Sequence, residues 1–236
     1  MQTFRRPHHR LIGEILASLD GKFLRQARCY FGGGTQTVLS LGEYRESRDI
    51  DFLCADRDGY RLLRETVTSE SLGKIMRRKI TLKREVRADR DGIRTFFAAG
   101  KSHIKFEIVR EARIELRGRM DAELGVPALN RECAIAEKFL ANADRGLDRS
   151  THRRDLIDLA FLAANSSEKV LKAGYARAEA SYGASILRHL TLTITALDSN
   201  KDALTECIKV LAITNTSGLS TGVEKLRRLL GRKSRR

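Results

Sequence analysis

Acidic residues are in deficit in this 236-residue chain, tryptophan is absent, and its four cysteines are scattered. No two of Cys29, Cys54, Cys133 and Cys207 have the C-x-x-C spacing of a zinc site, and a disulfide framework is not expected in a chain this large. Cys29 and Cys54 lie in apolar, strand-like runs, where a buried thiol is the default. A reducing cytoplasm fits that usage. No apolar stretch is long enough to span a bilayer, and basic Met1–Arg10 lacks the apolar run of a signal peptide. A cytoplasmic protein without a membrane partner is therefore expected. There is no G-x-S-x-G element and no G-x-x-x-x-G-K-[ST] loop. His103, His152 and His189 lack a nucleophile partner in any catalytic motif, and His8-His9 sit in a basic stretch without the acids of a metal site. No internal repeat is visible.

The acid deficit is itself informative. Forty-five basic residues face 30 acidic ones, for a formal charge of +15. That excess points to a polyanionic partner, most often nucleic acid; the alternative is a basic but merely solvated surface. Hydrophobic content is 42%, ordinary for a globular chain, and the length suits one large domain or two small ones.

The densest chemistry lies in Gly32-Gly33-Gly34-Thr35 and Arg45-Glu46-Ser47-Arg48-Asp49-Ile50-Asp51-Phe52. Glycines let a backbone approach a phosphate closely and aim N–H groups at it. A helix starting at Thr35 would add its positive end. Asp49 and Asp51 are two apart, so on a strand they project to one face. Two carboxylates on one face repel unless a cation lies between them, and a divalent metal holding a triphosphate would satisfy both. Glu107 is a third candidate acid, on the alternating strand His103–Val109, where Lys105 shares its face. Set beside Asp49 and Asp51 it would complete a cluster able to hold magnesium and deprotonate a hydroxyl. Standing apart, it is a solvated strand residue paired with Lys105 or Arg110.

Periodicity places a helix over Leu11–Leu19 ended by Asp20-Gly21, a short strand at Cys29–Phe31, and a helix from Thr35 to Leu41. A strand follows at Asp49–Cys54, then a helix capped by Asp56 and running to about Val67. Strands at 79–87 and 93–99 are joined by the turn Asp89–Gly92. After Pro127 the texture becomes helical, at about 130–145, 151–165, 167–180, 184–198, 201–212 and 221–230. The expected architecture is α/β (α+β), a small mixed sheet with flanking helices over residues 1–125 followed by a helical bundle over 126–236. In that bundle Lys138 sits mid-helix among Ala134, Ile135, Phe139 and Leu140, where a lysine either snorkels or meets a buried anion. Asp155 and Asp158 share a face of the next helix and are its expected partners, in a structural ion pair or at a nucleotide site.

This ordered series resembles the nucleotidyltransferase superfamily that includes DNA polymerase β: two glycines, a spacer, Asp-x-Asp, then a later acid. Fourteen residues separate Gly34 from Asp49, which suits that pattern. More narrowly, the chain is similar to the AbiEii/AbiGii toxin family of nucleotidyltransferases. The likeness rests on Gly33-Gly34-Thr35, on Arg45-x-Ser47-x-Asp49-Ile50-Asp51-Phe52, and on Glu137-Lys138 with Arg145 and Arg153-Arg154-Asp155-Leu156-Ile157-Asp158-Leu159. It covers roughly residues 10–165. The resemblance implies a sheet of nucleotidyltransferase type and a helical domain that completes the nucleotide site. It implies magnesium (or manganese) on Asp49, Asp51 and Glu107, and a nucleoside triphosphate on Gly33, Gly34, Thr35, Ser47 and Lys138, with Asp155 or Asp158 as the orienting aspartate. Glu107 departs from the aspartate usual at its position, and its longer arm still reaches a metal. The resemblance also implies the toxin of a type IV toxin–antitoxin system that transfers NMP to RNA, with the tRNA 3′ end as acceptor and a repressor-like antitoxin as partner. Lys83, Arg84 and Arg87 in the basic run 74–87, and the seven basic residues after Glu224, are the expected grip on RNA. The rival readings are transfer to a small molecule such as an antibiotic and a catalytically silent nucleotide- or RNA-binding module. The first does not need so basic a chain, and the second would show as loss of the metal aspartates, which are present.

Overall fold

The computed structural model describes residues 4–100, 102–199 and 201–233. It divides into two compact units. One is built from the chain up to Leu39 and from Ser47–Asn130; the other is built from Ser40–Glu46 and from Arg131 onward.

The first unit opens with α1 (Pro7–Leu16), where proline takes the first turn, which needs no N–H partner. The helix stops at Leu16, short of the expected Leu19. Asp20 starts a second helix, α2 (Gly21–Gln26), by accepting the Phe23 N–H at 2.9 Å. A short carboxylate ahead of a glycine is an N-cap as readily as a stop signal, and here it is the cap. Strand β1 (Cys29–Gly32) runs directly into α3 (Gly33–Ser40), which therefore begins two residues before the expected Thr35. Then come β2 (Ile50–Cys54) and α4 (Arg57–Glu65), the latter capped by Asp56 through the Gly59 N–H at 2.7 Å. Strands β3 (Leu82–Ala88), β4 (Gly92–Ala99) and β5 (Ser102–Arg110) form a meander. Its first turn is closed by Asp89, whose Oδ1 accepts from the Asp91 and Gly92 N–H groups.

Two further strands, β6 (Gly118–Met120) and β7 (Pro127–Leu129), carry the sheet past the expected boundary near residue 125. Three residues each are too few to show a period of two. The sheet has seven strands in the order β3-β4-β5-β2-β1-β7-β6. It is mixed: β2 pairs parallel with β5 and β1 parallel with β7, and the other pairs are antiparallel. Ile12 and Leu16 of α1, Leu24 of α2 and Leu63 of α4 share one apolar core with Phe31, Phe52, Phe97 and Phe106 of the sheet. The alternation of buried and half-buried residues along β4 and β5 leaves the other sheet face polar.

The second unit is a bundle of α5 (Arg131–Arg145), α6 (Arg154–Ala164), α7 (Glu168–Tyr182), α8 (Ser185–Asp198), α9 (Lys201–Val210) and α10 (Thr216–Lys233). α5 packs on α6, α7 and α8, and α10 lies along α6. That last approach needs Gly222, since a β-carbon there would sit 1.9 Å from the Ala160 carbonyl oxygen. The segment Ser40–Glu46 is tied in by Glu46 N–H donating to Leu211 O and Thr214 N–H donating to Tyr44 O. The Tyr44 ring stacks on Phe161 with centroids 3.7 Å apart.

Over the described length the basic residues after Glu224 lie on α10. Lys225 donates to the carbonyls of Ala163, Ala164 and Ser166, and Arg227 and Arg228 pair with Asp198 and Glu224. Arg235 and Arg236, and the side chains of Arg232 and Lys233, lie outside the described residues. No described helix is long and apolar enough to cross a membrane.

Candidate active site

The β1–α3 corner brings the glycine motif and the Asp-x-Asp motif onto adjacent backbone. Gly32 is the register partner of Asp51. The next residue, Gly33, has φ +68°, in the left-handed region that glycine alone enters without strain. A β-carbon on Gly33 would lie 2.7 Å from Asp51 Oδ2. The Asp51 carboxylate thus fills the space that glycine leaves open, beside the first turn of α3. The N–H groups of that turn have no partners within the helix, and the helix presents its positive end there.

Asp49 stands one residue ahead of β2, in a braced loop. The buried Thr35 hydroxyl donates to the Asp49 carbonyl at 2.5 Å and meets the Ser47 hydroxyl at 2.8 Å. Thr35 is therefore engaged in holding the Ser47–Asp49 loop against α3. The loop is held on its other side by α1, where the Ser47 N–H donates to Nε2 of buried His9 at 3.1 Å and His8 Nε2 lies 3.0 Å from the Arg48 carbonyl. The histidine pair is a brace for the loop, a role with no local sequence signal.

Glu107 is the register partner of Asp51 across the parallel β2–β5 pair, so the two side chains share the polar sheet face. Its carboxylate is already engaged. Arg94 Nε donates to one oxygen at 2.6 Å and Lys105 Nζ to the other at 2.5 Å. Burial pushes the Glu107 carboxyl up, and the bonds from Lys105 and Arg94 more than reverse it, holding it below the usual carboxylate range. A carboxylate so held is a weak base while those two partners remain. Among the described residues no three of His, Cys, Asp and Glu are gathered as a metal cage. The donor that the structure sets beside the first turn of α3 is the Asp51 carboxylate, with Asp49 two residues ahead of it in the chain. That fits magnesium, which binds through one or two carboxylates and completes its octahedron with water and substrate phosphates.

The second unit has its own buried ionic cluster. Lys138, on α5, lies 2.9 Å from Asp155 and 2.7 Å from Asp158, both on α6. Arg145 binds Asp155 at 2.7 Å. Arg45 binds Asp158 through Nε at 2.7 Å and Nη2 at 2.8 Å, and the Tyr44 hydroxyl donates to the same carboxylate at 2.7 Å. Burial disfavours the charge on both aspartates, but their cations outweigh it and hold them below the ordinary range. Burial likewise works against the Lys138 ammonium, and Asp155 and Asp158 overcome it. Arg45, a member of the sequence motif that carries the resemblance, is buried and forked onto Asp158. Lys138 meets both aspartates, so contact alone does not choose between them. Lys83, Arg84 and Arg87 stand exposed on β3. An open cleft of about 530 Å³ beside that strand is lined by Lys79, Lys83 and Arg84 together with Glu70 and Glu85.

Solved structures carry the same fold. A crystal structure from Helicobacter pylori assigned as a nucleotidyltransferase has a TM-score of 0.53 and 18% identity over 97% of this chain and 95% of its own. The structure of JHP933 from Helicobacter pylori has a TM-score of 0.50 and 18% identity over 97% and 94%. No curated protein matches the sequence. The family model described as the nucleotidyl transferase AbiEii toxin of a type IV toxin–antitoxin system matches residues 15–210, and the chain belongs to that family of nucleotidyltransferases.

Proposed function

We propose that this nucleotidyltransferase transfers a nucleoside monophosphate from a nucleoside triphosphate to a hydroxyl of RNA, with the tRNA 3′ end as acceptor, as the toxin of a type IV pair. The observation that supports the reading is the close approach of the Asp51 carboxylate to Gly33 at the start of α3, a carboxylate oxygen beside the backbone that would cradle phosphate. Asp49 and Asp51 would hold magnesium or manganese, whose chemistry is to neutralise charge on the triphosphate. The backbone of Gly33 and Gly34 cradles the β and γ phosphates, with Ser47 at the edge of that cradle and Thr35 fixing the loop. The acceptor oxygen bonds to the α-phosphorus, the bond from that phosphorus to the β-bridging oxygen breaks, and pyrophosphate leaves. The acceptor proton passes to solvent or to Glu107 once Arg94 and Lys105 yield it. A role for Lys138 toward the nucleotide's phosphates rests on the family resemblance alone; within the helical unit Asp155 and Asp158 hold its ammonium in place. The +15 charge supports an RNA acceptor over a small molecule. A repressor-like antitoxin, bound or acting through expression, belongs to the same proposal.

The test is incubation with labelled triphosphates, total RNA and magnesium. Asp51→Ala should keep the far-UV circular dichroism of the parent and lose transfer by about a thousandfold, roughly 4 kcal/mol of barrier. Parental transfer by a folded Asp51→Ala protein would refute the assignment.

A further inference from the structure

The polar face of the β3–β4–β5–β2 run carries more than the residues that the transfer chemistry uses. Register sets the row Arg87, Arg94, Glu107 and Asp51 across four strands. Beside it lies a second row, Arg84, Phe96 and Lys105. Next comes His103, opposite Ala98. The Arg84 guanidinium lies over the Phe96 ring at 4.8 Å, and His103 meets that ring edge-on at 5.2 Å. Arg84, Arg87 and His103 are exposed, and about a third of the Arg94 and Lys105 side chains is open to solvent. Arg84 and Arg87 have no carboxylate partner among the described residues. Four cations thus share the face with Asp51 at the end of the row, with Glu107, which two of them neutralise, and with Asp89 at the rim, which touches Arg94.

We infer that this face seats the unpaired end of the acceptor strand, its phosphates on Arg87, Arg94 and Lys105 and a base stacked on the Arg84–Phe96–His103 pile, with the strand directed at Asp51. The inference rests on the RNA-acceptor reading and extends it. Cations alone would suit any polyanion. A stacked guanidinium, phenyl and imidazole amid those cations is what unpaired bases recognise and what a closed duplex cannot engage. Every base has a π-face, so the platform accepts a strand end without reading much sequence. A phosphate approaching Lys105 or Arg94 also competes for the partners of Glu107. Strand binding and release of that carboxylate are then one event.

The experiment measures anisotropy of a short labelled single-stranded oligoribonucleotide, of the same strand annealed to its complement, and of labelled heparin. Triphosphate affinity is measured separately as a control on the fold. The wild-type protein should favour the single strand over the duplex. Phe96→Leu should weaken single-strand binding roughly 5- to 100-fold with heparin binding unchanged. Arg87→Gln should lower the slope of log affinity against log salt by about 0.7, the share of one phosphate contact on a single strand. It also keeps the test alive if Phe96→Leu does not fold. Equal binding of single strand and duplex, or parental single-strand affinity in both variants, overturns the inference. Transfer to a small molecule alongside such a result would leave nucleotidyl transfer standing with this face rejected. Strand binding as expected with no pyrophosphate released to any acceptor would do the reverse.

Discussion

Asp158 accepts four hydrogen bonds in a dry interior: from Tyr44, twice from Arg45, and from Lys138. Removing its charge while keeping its shape leaves the buried Arg45 and Lys138 with one acceptor fewer each. Asp158→Asn should therefore destabilise the helical unit by roughly 3–5 kcal/mol, read as a lower urea midpoint of the far-UV signal. An unshifted midpoint would show the cluster to be energetically idle. The pH dependence has a definite sign. Asp155 and Asp158 are held below the unfolded carboxylate value of about 3.9, so they stabilise above that pH and lose their contribution as pH falls through their lower folded values. Acid unfolding should accordingly begin below about pH 4 in the parent, and Asp158→Asn should flatten it. At this scale the sequence was legible where chemistry is local. Gly33-Gly34 and Asp49-x-Asp51 are each short motifs readable in the chain, although it is strand register that sets Gly32 against Asp51. The partners of Arg45 and Arg94 were not legible. Asp158 lies 113 residues from Arg45, and Glu107 reaches Arg94 through strand register. No short pattern encodes either.

Helix α6 ends at Ala164, where the Asn165 and Ser166 N–H groups reach only the Phe161 and Ala163 carbonyls. The cation at this end comes from α10: Lys225 Nζ lies 3.1 Å from each of the Ala163, Ala164 and Ser166 oxygens. A lysine at a helix C-terminus opposes the negative end of the dipole and supplies charged hydrogen bonds. Lys225→Met keeps the apolar stem and removes the donor. It should cost about 1–3 kcal/mol in thermal or urea unfolding, with Lys225→Arg recovering part of the loss. If Lys225→Met unfolds like the parent, α10 is held to α6 by apolar packing and the Gly222 approach alone. The sheet-then-bundle order of elements could be read from the change of hydrophobic period, and so could most helix spans. Strands β6 and β7 could not, because three residues carry no period. The basic tail looked like a polyanion arm because a run of cations does not announce whether carbonyls or phosphates will neutralise it.

The molecule as a whole is two units threaded through each other in sequence. Ser40–Glu46 is bounded on both sides by residues of the first unit yet belongs to the second. A fragment of residues 131–236 thus lacks Tyr44 and Arg45, and Asp158 keeps only its Lys138 bond. That fragment should show little cooperative unfolding, whereas fusing residues 40–46 ahead of it through a flexible linker should raise its helicity and sharpen its melt. Equal melts for the two would mean that the threaded segment adds nothing. The same threading has a consequence in time. Arg45 is made long before its anion exists, because Asp158 is the 113th residue added after it. Until then the stretch just ahead of the Ser47–Asp49 loop has nothing to close upon. Completion of the enzyme is deferred to the late phase of its own translation, and a message cut short before α6 yields a chain with the catalytic aspartates but with Arg45 left without its anchor.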